Sequence, residues 1–190
     1  MKYGDYLYSL RFFLLFAFLL FVFSAFLGYL SAQEQPEKAQ FLLEEMRQAY
    51  GPMLKTSALW QFVFVFLNNS FTLFLVLSLG IIFGIFPGMV LFSNGAILGM
   101  LAFLLKDNLL WPGFFTGILP HGIIEIPVMI LACAVGLKIG KTAYKKVFKK
   151  PGELKTEILI AFKFFLKVLL PLLALAAAIE IFLTAKLLSL

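Results

Sequence analysis

Charge and apolar character alternate along this chain in long blocks, and the blocks have the length of membrane crossings. Residues 12–30 form a 19-residue apolar run preceded by Lys2 and Arg11, enough to cross a ~30 Å hydrocarbon core at ~1.5 Å per residue. The run exceeds the ~7 to 15 residues of a signal-peptide core and no clean small-x-small site follows, so it reads as a retained crossing. Residues 31–57 are polar, with Glu34, Glu37, Glu44 and Glu45 against Lys38, Arg47 and Lys55. Within them Phe41, Leu42, Met46 and Ala49 recur at helical spacing, which predicts an amphipathic helix ending near Gly51 and Pro52. Such a helix lies on the membrane surface or against the bundle.

The next 29 residues, 58–86, carry no charge, more than one straight crossing needs. Gly80, Gly84, Pro87 and Gly88 supply breakers, and the return turn is predicted near Pro87. A third crossing spans 88–105, through Asn94, Gly95 and Gly99. Residues 106–113, KDNLLWPG, make a short turn with Trp111 as an interfacial anchor. The fourth crossing is 114–138. Pro120 with Gly117 leaves open a short re-entrant piece over 114–119, and Pro127 removes a backbone donor, which predicts a kink. After a basic loop at 138–155, the fifth crossing runs over 156–188, with Lys163 and Lys167 one turn apart and snorkelling to the headgroups.

Composition turns this pattern into a class. The chain has 190 residues, 62% of them hydrophobic, and a mean hydropathy of +0.99, far above what a water-soluble domain of this size requires. The expected fold is all-α and integral to the membrane: a bundle of five transmembrane helices, some broken or kinked, plus one amphipathic extracytoplasmic helix, in a single domain. The 24 Phe read mainly as surface in contact with the lipid bilayer. Cys133 is the one cysteine, so no internal disulfide forms, and its apolar surroundings predict a buried thiol.

The net charge of +6 matters less than its placement. Residues 138–155 hold seven lysines and one glutamate, and five crossings put that loop, the N-terminus and the Pro87 turn on one side. The positive-inside rule makes that side cytoplasmic, with the C-terminus extracytoplasmic. The lysine loop reads as a topology signal rather than as a specific lipid ligand, and nothing supports nucleic-acid binding.

Polar residues inside the crossings are few and point to chemistry. The segment LPHGIIEIP at 119–127 contains the single histidine, His121, and Glu125 four residues on, which share one face of a helix. Counted from the outer edge of each crossing, Asn68 and Asn94 lie roughly 15 Å in, Glu125 roughly 16 Å, Glu180 near ~12 Å and His121 near ~10 Å. Four crossings therefore place amides, an imidazole and two carboxylates at similar depth. Two ionised glutamates there would repel, so convergence implies a shared proton, a histidinium or a bound metal ion. His121, Glu125 and Glu180 form a chemically sensible ligand set for a divalent metal such as zinc, although HxxxE lacks the second histidine of the HExxH helix. A proton-sharing or purely structural hydrogen-bond knot stands as the alternative. Asn68 and Asn94 read first as interhelical glue, and Asn69 points about 100° away from Asn68. Gly80, Gly84, Gly95 and Gly99 read as close-packing positions.

These residues also carry a resemblance. The succession of NN at 68–69, a Gly-rich crossing, SNG at 93–95, LPHGIIEIP, a basic loop and IE at 179–180 resembles the stage II sporulation protein M family across most of the chain, with PHGxxExP as its specific core. Val128 stands where the family often has Ala. The resemblance implies a five-crossing membrane protein with a cytoplasmic N-terminus. The family's namesake acts as a membrane platform for cell-wall hydrolases during engulfment, but that role does not carry over to this chain. No residue here identifies those hydrolases as partners.

Three functions are expected in this order. The first is a membrane scaffold recruiting protein partners at its outer face, with self-association into a homo-oligomer as an option; a non-enzymatic role ranks ahead of an enzymatic one because the sequence shows no recognisable nucleophile, nucleotide loop or substrate motif. The second is a transporter or channel for a divalent metal ion or proton, using the His/Glu site and broken helices near Pro87 and Pro120. The third is an intramembrane hydrolase in which Glu125 or Glu180 activates a metal-bound water.

Overall fold

A computed structural model describes residues 3–106, 111–148 and 153–184, with the side chains of Tyr3, Leu54, residues 111–123, Glu180, Leu183 and Thr184 outside that description. The described residues are helical, with no strand among them. In chain order the helices are α1 (Tyr3–Glu34), α2 (Pro36–Leu54), α3 (Ala58–Leu79), α4 (Ile85–Leu105), α5 (Trp111–Phe148), α6 (Leu154–Phe164) and α7 (Leu170–Ala178). Two π-helical segments, Phe165–Leu169 and Ile179–Thr184, separate α6 from α7 and follow α7.

Five spans are long and apolar enough to cross a membrane: Gly4–Glu34, Ala58–Leu79, Ile85–Leu105, Ile124–Phe148 and Leu154–Ala178. In lipid every backbone N–H and C=O must be satisfied within the segment, so uninterrupted helices are the expected solution. Several helices outrun their apolar runs because nothing stops them there; α1 continues through the polar residues on both sides of 12–30.

The return after α3 falls at residues 80–84, ahead of Pro87. Gly84 N–H donates to the Gly80 carbonyl at 2.9 Å, and Phe83 and Gly84 take positive φ angles of 51° and 76°, which reverses the chain. Pro87 then sits in the first turn of α4, where its missing N–H costs nothing. Residues 114–119 belong to the continuous helix α5 and form no separate re-entrant piece.

α5 is the axis of the bundle. In its spanning window 56% of positions are buried, against 17–28% in the other four. Ala132, Cys133, Ala134 and Val135 are fully buried, and Cys133 is the buried free thiol expected. α1, α3, α4, α6 and α7 all touch this helix.

Small residues set two close crossings. α1 packs along α4, where an added Cβ at Gly28, Gly95 or Gly99 would overlap Ala96, Ser24 or Ala25 respectively. Ser24, wholly buried, donates from Oγ to the Phe21 carbonyl at 2.8 Å and reaches the Leu91 carbonyl of α4 at 3.4 Å. On α5, Gly136 and Gly140 admit the 80–84 turn, with Gly136 against Pro87 and Gly140 against Gly84. Without a hydrophobic drive between helices in lipid, such backbone-to-backbone contact is a main source of association.

α2 closes one end of the bundle. Ala39 is buried, and together with Ala32 and Met100 it forms a small cluster against which Met46 packs, while Phe41 and Leu42 are exposed. The helix leaves an apolar groove of about 690 Å³ between itself, α1 and α4.

Candidate functional site

A polar contact inside the membrane-spanning part joins α3 to α5. The Asn69 side-chain amide donates from Nδ2 to Glu125 Oε1 at 2.7 Å, and both residues are half-buried. A carboxylate at this depth needs a donor, because an unpaired buried charge costs several kcal/mol (~2 to 4 on insertion scales); the amide supplies one without adding charge. Beside it, Ser70 Oγ is buried with no hydrogen-bond partner among the described residues.

The asparagines divide differently from the depth count. Asn69 is the residue turned toward Glu125, whereas Asn68, one position earlier and about 100° round the helix, is exposed. Asn94 is exposed as well and donates from Nδ2 to the Val90 carbonyl of its own helix at 2.8 Å.

His121 and Glu180 lie in described helix, but their side chains fall outside the description. Their backbone placement is informative. His121 sits one turn before Glu125 on α5, and the π-helical segment Ile179–Thr184, which contains Glu180, touches both α5 and α3. Phe182 of that segment meets the Phe62 ring of α3 at 6.0 Å. The elements bearing all four polar residues, Asn69, His121, Glu125 and Glu180, are thus neighbours. Among the described residues no group of three or more His, Cys, Asp or Glu forms a metal-binding cluster.

A second polar network, at the lysine-rich end, was not anticipated from the sequence. Lys138 Nζ of α5 lies 3.1 Å from Glu157 Oε1 of α6, with the side chains 19% and 13% exposed. The Tyr6 hydroxyl of α1 donates to the same oxygen at 3.1 Å. Lys138 also donates to Ser9 Oγ at 2.9 Å and stands 4.4 Å above the Tyr6 ring. Three helices are pinned by one ion pair. The available signal was Glu157, an acid just past the lysine-rich segment, with Tyr6 and Ser9 one helical turn apart.

Neither a curated protein nor a solved structure matches this chain. A family model does: the one described as Stage II sporulation protein M matches residues 17–185. Its extent takes in the four polar positions just placed and each of the five apolar spans in whole or large part, and the chain therefore belongs to the Stage II sporulation protein M family, as a multi-pass helical membrane protein.

Proposed function

We propose that this protein is a membrane scaffold that recruits partner proteins laterally, within the bilayer. One observation carries the reading: Asn68 on α3 and Ser93 and Asn94 on α4 are exposed about midway along helices of 22 and 21 residues. Amides at mid-membrane depth are poorly solvated by lipid and are used to hydrogen-bond a neighbouring helix. The faces are therefore suited to a partner's transmembrane helix or to a second copy of this chain. The lysine-rich end is taken as cytoplasmic, which puts α2 outside, available to extracytoplasmic partners. Affinity purification from native membranes, comparing the parent with Asn68→Leu and Asn94→Leu, tests this. A partner held by the parent and lost by the leucine variants is expected; no stable partner with the parent contradicts the reading.

A second reading, movement of a divalent cation or proton, is favoured by the Asn69 to Glu125 contact beside a π-helical segment, since π-turns recur at functional sites. Purified protein in liposomes that conducts no proton or divalent cation, with Glu125→Gln changing nothing, removes it. The metal-dependent hydrolase requires His121, Glu125 and Glu180 around one ion, and metal analysis of purified protein decides that reading.

A further inference from the structure

At the lysine-rich end, α1, the 80–84 turn and α5 enclose a pocket of about 390 Å³ that the scaffold reading does not use. Its walls are aromatic and apolar, including Phe12, Phe16 and Phe83, and its polar lining is Lys141 and Tyr144. No acidic residue lines it. Arg11 does not itself line the pocket; its guanidinium lies 4.7 Å from the ring centre of Phe12, one of the wall residues, and 4.1 Å from that of Tyr8, so a second cation stands beside the wall. Lys138 is neutralised by Glu157, whereas Lys141 and Arg11 have no carboxylate partner among the described residues; each lies instead against aromatic rings, Lys141 over Phe13 and Arg11 over Tyr8 and Phe12. Both cations fall near the same end of their spans, Gly4–Glu34 and Ile124–Phe148, the lysine-rich end that the proposed topology sets at a membrane surface.

We propose that this pocket binds one anionic glycerophospholipid, its phosphate held between Lys141 and Arg11 and its acyl chains on the phenylalanine wall. Charge complementarity selects the headgroup: two unpaired cations with no acid beside them favour a net negative lipid, as basic pockets between transmembrane helices do. The exposed phenylalanines below the cations give the acyl chains an apolar surface continuous with the bilayer. A dispersed attraction to all the lysines of this end would not need a pocket, and the two are separable. Lys145 and Lys146 lie on the same helix as Lys141 but neither line the pocket, as Lys141 does, nor are set over one of its wall rings, as Arg11 is over Phe12.

The test is a lipid titration of the full chain purified in detergent, following melting by labelling of the buried thiol of Cys133. Dioleoyl phosphatidylglycerol is expected to raise the melting temperature saturably, and dioleoyl phosphatidylcholine and inorganic phosphate are not. Removing both cations with Arg11→Gln and Lys141→Gln is expected to raise the half-saturating lipid concentration by at least about tenfold, on the general strength of lysine and arginine attraction to anionic lipid. Lys145→Gln with Lys146→Gln is expected to change it by less than about twofold, because those charges lie outside the pocket. Lys141→Arg preserves the effect. The proposal is overturned if the choline lipid stabilises equally, if inorganic phosphate reproduces the effect, or if both double variants weaken binding alike.

Discussion

Removing the Glu157 carboxylate with Glu157→Leu strands two groups at once, the Lys138 ammonium and the Tyr6 hydroxyl. Breaking a buried ion pair on one side costs roughly 3 to 5 kcal/mol. With the side chains 19% and 13% exposed, and with Ser9 Oγ and the Tyr6 ring still beside Lys138, the low end applies, about 3 kcal/mol. For a chain of this length that corresponds to a fall in Tm of roughly 6 to 12 °C on soluble-domain scaling. Lys138→Met should cost about as much, since it leaves Glu157 with the Tyr6 hydroxyl as its remaining contact in this network. The double variant Lys138→Met with Glu157→Leu removes both charges and should be more stable than either single variant, because an apolar pair of similar volume avoids desolvation. Tyr6→Phe, losing one hydrogen bond to a charged acceptor, should cost about 2 kcal/mol. Cys133 is the assay: it is fully buried and the sole cysteine, so a thiol-reactive fluorophore labels it as the core opens. Single variants that melt within about 2 °C of the parent, below one kcal/mol on that scaling, would refute the reasoning. So would a double variant losing the sum of the singles.

Other outcomes follow from the same geometry. Gly99→Leu should destabilise by about 1 to 3 kcal/mol or more through overpacking, because even a Cβ there meets the Ala25 carbonyl, whereas Gly88→Ala, with open space around the added Cβ, should be neutral or slightly stabilising in the same thermal assay. Gly84→Ala forces a Cβ into a left-handed conformation at φ +76° and should cost on the order of 1 to 2 kcal/mol. Asn69→Leu withdraws one donor from Glu125 and should destabilise the protein by about 1 to 3 kcal/mol, read as a lower Tm. Asn68→Leu should leave the Tm of the isolated protein unchanged or raised, since that side chain is exposed.

How much of this could be read beforehand depended on the kind of signal. Apolar length anticipated five helices long and apolar enough to cross a membrane, because lipid demands helices of a minimum span and no local preference competes with that demand. Glycine spacing anticipated the close approaches: Gly80, Gly84, Gly95 and Gly99 all sit where an added Cβ would press on a neighbouring helix. The return turn was misplaced by several residues because Gly80, Gly84 and Pro87 all carry breaker character; proline is harmless in a helix's first turn, and the positive φ angles at Phe83 and Gly84 made the reversal. The choice of Asn69 over Asn68 for Glu125 was illegible for a different reason. Asn68, Asn69 and Ser70 of α3 are consecutive and so point about 100° apart round the helix, and they form no polar stripe to show which side faces inward. Lys138 was read with the lysines of its loop as a sign of topology, and its pairing with Glu157 needs tertiary placement of α6 that hydropathy does not encode.

On the proposed scaffold role, the mid-membrane polar faces of α3 and α4 are covered by another protein helix. This is tested most directly by photo-crosslinking in native membranes from residues introduced at positions 68 and 94, with adducts resolved by mass. A discrete protein adduct at each position is expected, its mass giving either a partner or a second copy of the chain. Adducts of lipid mass alone, at both positions, would contradict the account.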